Sequence, residues 1–255
     1  MFRTRTADSQ LLREECFRIR HEVYCVERGF LDAQQNSGGL ERDSYDERSV
    51  HSLLYDRASG LAVGTIRLIL AERGSPSPST PFHSLCKDRL EQYPELLGLA
   101  RTAEVSRLAL SKRRCDIASL SNGHRRRSAD LKDVHPSSYV ALGLLRMAIE
   151  MAVTNRVDYL CCVMEPSLLR MLARCGIYFE NLGQCIEYHG RRQPCYAHVI
   201  TLLDGIKANR PDVWEIITDI GRFHPERVRA NRFGRRGSDL ADTIPSDRSL
   251  IRVAV

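Results

Sequence analysis

The sequence predicts a mixed α/β fold, a sheet flanked by helices. Three observations predict it. Apolar residues recur at helical spacing in two separate stretches, near residues 12–23 and 140–151. Between and after them lie runs of aliphatic and β-branched residues bounded by turn formers, which read as strands. These strands do not alternate strictly with helices, and no G-x-G-x-x-G follows one, which argues against a dinucleotide fold and a nicotinamide enzyme.

Taken in order, Leu12, Cys16, Ile19 and Val23 stand at i, i+4, i+7 and i+11, one face of a helix that Asp8 or Ser9 can cap. Residues 50–56 (VHSLLYD) and 61–70 (LAVGTIRLIL) read as strands joined by the turn RASG, an antiparallel hairpin. GSPSPSTP is a loop by composition, and residues 85–97 are short and irregular. TAEVSRLAL, residues 102–110, is a third strand. Residues 111–136 hold KRR and HRRR with little apolar matter, and read as a long mobile surface loop. Val140, Leu144, Met147 or Ala148, and Met151 share a helical face. VDYLCCVM is a continuous apolar strand, buried on both sides. PSLLRMLARCG is a helix with Pro in its first turn and Gly176 past its end. Residues 176–190 and 193–203 read as a closing pair of strands, and DVWEIITDIG as a last short helix. This gives one domain over residues 1–221 and a basic, poorly ordered tail over 222–255.

A hydrophobic content of 43% with 27% charged residues is ordinary for a soluble globular chain of 255 residues. No apolar run reaches the roughly 18–20 residues of a membrane span. The first residues carry recurrent charges rather than the apolar core of a secretory signal, so the expected location is cytoplasmic. Nine cysteines, an odd number without a C-x-x-C pair, read as buried or idle thiols, and no metal site is expected. A net charge of +6 suggests an acidic partner.

Glu41, Asp43 and Asp46 crowd the segment before the first long strand. Such acids mark either a solvated loop or a site that uses carboxylates. Around them stand Arg20, Tyr24 and Phe30 in the first helix and its sequel, Arg67 in GTIRLI, Phe82 after the Pro-rich loop, and Glu104 and Arg107 in EVSR. This set resembles the pattern of acyl-homoserine-lactone (autoinducer) synthases: an Arg, an aromatic four on, another six on, E-x-D-x-x-D, G-x-x-R, a Phe and E-x-x-R. The family's second aromatic is usually Trp, where this chain has Phe30. The later stretch MEPSLLRMLARCGIYFENLGQCIEYHGRRQPCYAHV is similar to acyltransferases associated with PEP-CTERM/exosortase systems, which resemble long-chain N-acyl amino acid synthases. Together the resemblances cover about residues 10–220. They imply a GNAT-like (acyl-CoA N-acyltransferase) fold, with a mixed, mostly antiparallel sheet flanked by helices. The implied reaction is transfer of a fatty acyl chain to the amine of an amino acid or similar acceptor. A lactone-forming synthase using S-adenosylmethionine, and a non-catalytic acyl- or nucleic-acid-binding module, are the alternatives.

An amine must lose a proton before it attacks a thioester, and a carboxylate can take it. Glu41 and Asp43 are the expected bases, because like charges at close range raise one another's pKa. Arg20 and Arg107 are read as ion-pair partners that orient these acids. Tyr24, Phe30, Asp46, Arg67, Phe82 and Glu104 complete the orienting or substrate-binding set. Backbone N–H groups at a splayed strand would stabilise the oxyanion. Cys86 and Cys175 lack a Cys/His signature, His51 reads as an ordinary surface or core histidine, and His189 stands near the acyl or acceptor pocket. A Gly-rich pyrophosphate loop is missing ahead of the long helix, where HRRRSADLKDVHPSSY stands instead. That favours a protein-bound phosphopantetheine thioester over free acyl-coenzyme A, with no cofactor bound by the chain itself. Carrier proteins are acidic, so Arg125, Arg126 and Arg127, within a window that also holds Lys112, Arg113, Arg114 and Lys132, are the expected docking residues for acyl carrier protein. A solvated basic loop is the plain alternative. No nucleic-acid motif is present, and peripheral membrane contact is expected only through the acyl product.

Overall fold

The computed structural model describes residues 2–36, 38–71, 80–97, 101–121 and 136–228. The chain opens with a strand that the sequence reading did not include, β1 (Phe2–Thr6). Its FRTRT pattern alternates half-buried Phe2, Thr4 and Thr6 with exposed arginines, but a single apolar residue gives too weak a signal to read as a strand. Helix α1 (Gln10–His21) follows, with the Ser9 hydroxyl accepting the Leu12 N–H at 3.4 Å. Arg18, Arg20 and His21 crowd its last turn, where cations suit the helix dipole. One turn of π-helix, Glu22–Glu27, continues from it.

A 3₁₀ turn (Asp46–Arg48) leads into β2 (Ser49–Asp56) and β3 (Ala62–Leu70), the expected hairpin. Three short helices, α2 (Pro81–Leu85), α3 (Lys87–Leu90) and α4 (Pro94–Leu97), occupy the irregular region before β4 (Thr102–Leu110). Helix α5 (Lys112–Ser121) lies where a mobile loop was expected, which corrects that reading in part. The reason is distant in sequence. The Glu27 carboxylate accepts the Ser111 hydroxyl at 2.8 Å and the Lys112 N–H at 3.1 Å, capping the helix from outside. Arg114 reaches back to Glu15 at 2.5 Å, Glu22 at 2.6 Å and the Ala62 carbonyl at 3.0 Å, so it belongs to the fold and not to a free basic surface. Residues 122–135, with Arg125, Arg126, Arg127 and Lys132, lie outside the described residues, as do residues 229–255 of the tail.

Helix α6 (Pro136–Thr154) precedes β5 (Tyr159–Met164) and α7 (Pro166–Arg174). The closing region holds two-residue strands β6 (Glu180–Asn181) and β7 (Ile186–Glu187) and the longer β8 (Arg191–His198). The expected strand over 193–203 ends at His198: VITLL instead starts helix α8 (Val199–Asn209), whose buried residues Val199, Leu202, Leu203 and Ile206 follow helical spacing. Helix α9 (Pro211–Thr218) ends the described elements. None of the described helices is long and apolar enough to cross a membrane.

The strands lie in the order β1-β2-β3-β4-β5-β8-β6, with β7 paired to β8. Every pairing is antiparallel except β4 with β5, which runs parallel only from Thr102↔Tyr159 to Glu104↔Cys161. Past Glu104 the two strands part. Helix α6 covers one face, packing Leu142, Met147 and Ile149 against Leu54, Ile66 and Leu68. Helix α1 and the π-helical turn after it cover part of the other, packing Cys16, Ile19 and Val23 against Leu53, Ala62 and Ala109. A third cluster, Phe82, Cys86, Leu90 and Leu96 with Cys161 and Tyr196, seats the short helices beside β5. Gly64, the glycine of GTIR, allows β3 and β4 to close up: a Cβ there would stand 2.9 Å from the Ala109 carbonyl oxygen.

Candidate active site

The three clustered acids reach the face of the sheet that α1 covers. The Glu41 N–H donates to the Phe17 carbonyl at 3.1 Å, tying the loop to α1. The Asp43 carboxylate accepts the Tyr45 N–H at 2.9 Å, and Asp46 accepts the Asp43 N–H at 2.8 Å, two local turns that fix the loop. Three arginines from three elements then close on them. Arg20, fully buried on α1, donates to Glu41 and, at 2.6 Å, to Asp46. Arg67 on β3 donates to Asp43 at 2.5 Å, Asp46 at 2.7 Å and the Ser106 hydroxyl at 3.0 Å. Arg107 on β4 donates to Glu41 and to Asp43, each at 3.0 Å.

A bulge delivers Arg107. Between Thr65 and Arg67 the partner strand advances from Ala109 to Ser106, one residue more than β3 does. Arg107 takes the extra place with φ +49°, a left-handed conformation that costs a branched-free residue about 1–3 kcal/mol and persists because its guanidinium is held by two carboxylates.

This network corrects the expected electrostatics. Burial pushes Glu41, Asp43 and Asp46 up, but the arginines outweigh it: all three lie below the ordinary carboxylate value, Asp46 furthest. Mutual repulsion among the acids does not govern them. Glu104 behaves in the opposite way. It is 2 % exposed, its Oε2 accepts the Phe82 backbone N–H at 2.7 Å, and burial raises it above the ordinary value despite that bond. It occupies the last paired position before β4 and β5 diverge. Phe82 thus serves through its backbone while its ring packs in the third cluster.

Tyr24, on the π-helical turn, donates its hydroxyl to the Leu108 carbonyl at 2.8 Å, and burial pushes its pKa up to about 12. Its ring stacks on Phe30, centroids 6.5 Å apart, and His189 lies against Phe30 at 6.4 Å. The Arg107 guanidinium stands over Tyr24 at 5.8 Å, and those of Arg28 and Arg192 over Phe30 at 5.8 and 5.9 Å. Ser106, Arg28 and the stacking role of Arg192 were not singled out from the sequence. Ser106 was open to inference, since it stands two residues from Glu104 and shares its side of the strand. Cys86 and Cys175 are buried, and burial pushes both thiols up, Cys86 to about 11, which leaves little nucleophilic thiolate. Among the described residues no group of three or more His, Cys, Asp or Glu side chains is arranged to hold a metal ion.

His51 lies against the network, 1 % exposed, edge-on to Phe17 at 5.4 Å and 3.7 Å from Asp46. Neither ring nitrogen has a hydrogen-bond partner among the described residues. Burial lowers its pKa to about 4. An unfolded histidine takes its proton near pH 6.5, so between about 6.5 and 4 the unfolded chain holds the extra proton and stability falls as pH drops. His51→Gln is therefore expected to flatten the acid side of the stability curve in that window. Chemical denaturation at a series of pH values checks this, and an unchanged slope contradicts it.

The acetyltransferase (GNAT) domain family matches residues 19–119, the stretch that carries all ten site residues from Arg20 to Arg107. No curated protein matches the chain. Solved structures similar to it include an N-acyl amino acid synthase, an AHL synthase and TofI. The N-acyl amino acid synthase FeeM from uncultured soil microbes superposes with a TM-score of 0.55 at 17% identity, over 80% of this chain and 94% of that one. The AHL synthase LasI gives 0.55 at 15% identity over 82% and 95%. TofI, solved in a ternary complex with an inhibitor and MTA, gives 0.53 at 21% identity over 80% and 96%. The domain match, the parted β4 and β5 and the mostly antiparallel sheet between helices agree: the chain has the GNAT acetyltransferase fold.

Proposed function

We propose that the protein is an N-acyltransferase that moves a fatty acyl chain from acyl carrier protein to the amine of an amino acid or similar acceptor. The observation that carries this reading is Glu104. It is a buried carboxylate of raised pKa, set where two strands part and flanked by an ordered arginine–carboxylate network. A carboxylate whose pKa burial raises is a stronger base than an ordinary one, which suits removal of a proton from an attacking ammonium. Glu41, Asp43 and Asp46, locked as anions by Arg20, Arg67 and Arg107, hold the site's shape. Thioesters carry a good leaving group, so the amine attacks directly and no acyl-enzyme forms. The β4 edge past Glu104, unpaired with β5, offers backbone N–H groups to the tetrahedral oxyanion. The likeness to FeeM and the sequence resemblance to PEP-CTERM/exosortase-associated acyltransferases both favour an amino-acid acceptor.

Lipid mass spectrometry of a bacterial host expressing the chain tests this, with new N-acyl amines expected and their absence under robust expression counting against it. The donor is tested separately. Reversing Arg125, Arg126 and Arg127 to Glu is expected to slow reaction with acylated carrier protein and to spare a short acyl-pantetheine. Added salt should mimic the change, because exposed charges are screened beyond about 8–10 Å. Equal use of acyl-coenzyme A, insensitive to salt, would overturn the carrier assignment.

A further inference from the structure

We infer that Cys162 and Cys195 are a reversible disulfide site, closed by a small peroxide and reopened by thiol reductants. The inference concerns these two thiols and stands apart from the acyltransfer reading.

All nine cysteines are free thiols. Cys162 and Cys195 lie 33 residues apart in the chain, yet the sheet sets them face to face, directly opposed in the antiparallel β5–β8 pair. Alternation fixes their side. The neighbouring pair, Cys161 and Tyr196, packs into the third cluster with Cys86, whereas the next, Leu160 and Ala197, packs on the α6 side. Cys162 and Cys195 therefore share the α6 side, across the sheet from Cys86 and Cys161. Their sulfur atoms stand 3.5 Å apart. Directly opposed residues of an antiparallel pair hold their Cα atoms about 4.5–5.5 Å apart, inside the range of about 4.4–6.8 Å that a disulfide spans. Closing the bond to about 2.0 Å asks for a turn of two side chains and no shift of the strands.

The place gives the bond a consequence. Strand β4 leaves β5 after Glu104↔Cys161, so from Cys162 to Met164 β5 keeps only β8 beside it among the described strands. A cross-link at Cys162 fixes this half of β5 at the edge of the gap.

Both side chains are buried, 2 % and 0 % exposed, which admits a small neutral oxidant and excludes a bulky one. Burial also pushes the Cys162 thiol well above its ordinary value, so thiolate is scarce and closure is slow. The chemistry balances with hydrogen peroxide. One thiolate of the pair attacks a peroxide oxygen, the O–O bond breaks, and the departing hydroxide takes up the thiol proton as water. The other sulfur then attacks the sulfenic acid, forming the S–S bond, and the sulfenic hydroxyl leaves with the second thiol proton as water. Two thiols lose two electrons, and one peroxide is reduced to two waters.

The test is peptide mapping of the full chain. The protein is treated with hydrogen peroxide at neutral pH, remaining thiols are alkylated, and a tryptic digest is weighed without reductant. Cleavage after Arg156 and Arg192 puts Cys161 and Cys162 on one peptide and Cys195 on another. The expected product joins these two peptides with the loss of two hydrogen atoms, and dithiothreitol separates them again. Cys162→Ser should abolish the link and Cys161→Ser should keep it, which distinguishes the adjacent thiols, with circular dichroism confirming the fold of each variant. In urea the same treatment should scatter the pairing over other cysteines. The inference is overturned when the native chain gives no such link, when the link is as abundant in urea as without it, or when a folded Cys161→Ser variant loses it.

Discussion

Glu104→Gln is expected to lower turnover by roughly 10²–10⁴, the usual worth of a positioned proton acceptor, while the melting temperature stays close to that of the parent. The amide keeps an oxygen to accept the Phe82 N–H, so the bond seen at 2.7 Å survives and only the basicity is lost. The pH profile gives an independent reading. Because burial raises Glu104, the acid limb of kcat/KM should lie above the ordinary carboxylate range, and the Gln variant should lose that limb. Full turnover in the variant would move the proton to another group, of which Asp43, about a quarter exposed, is the next in reach.

Arg20→Met is expected to have the largest effect on stability. The side chain is fully buried and binds both Glu41 and Asp46, so an apolar replacement takes one of two guanidinium partners from each of two largely buried carboxylates. Breaking one side of a buried pair costs about 3–5 kcal/mol, which for a chain of this size lowers the melting temperature by roughly 6–20 °C. Thermal denaturation measures it, and a drop of under about 2 °C would mean water already satisfies those acids. Arg18→Ala is the contrast: the Arg18–Glu15 pair is half exposed, and its loss should cost under about 1 kcal/mol. The acid response has a fixed sign. The three loop carboxylates are held below their unfolded values, so their contribution is present above about pH 4 and is lost as the pH falls through the folded values.

What the sequence disclosed followed the range of the forces involved. The β2–β3 hairpin and α7 are built on local rules, alternation with a turn in one case and Pro and Gly punctuation in the other, and both were legible. Helix α5 was not, because its cap is Glu27 and its anchors are Glu15 and Glu22, about 85–100 residues away. VITLL carries β-branched residues and reads as a strand until α9 and α6 are there to take its apolar face. At the site the identities came from a family resemblance, but the charge states did not. Three neighbouring acids suggested raised pKa values, and only the arrival of Arg20, Arg67 and Arg107 from separate elements reversed the sign. Glu104 was named as an orienting residue; its raised pKa depends on the short helices that seal it, and EVSR alone contains no hint of them.

The bulge in β4 also acts as a shift in parity. Along a regular strand, odd and even residues face opposite sides. Val105, Leu108 and Leu110 pack on the α6 side, while Ser106 and Ala109 face α1. Even spacing would send Arg107 to the α6 side, into an apolar interior, and set Leu108 against α1 where Ala109 now fits. One inserted residue keeps the charge out of the oil and the leucines in it. The site's position is thus written as a count: a single-residue deletion after Arg107 would remove the bulge, leave Ala109 and Leu110 on their present sides and turn Arg107 alone into the apolar α6 side.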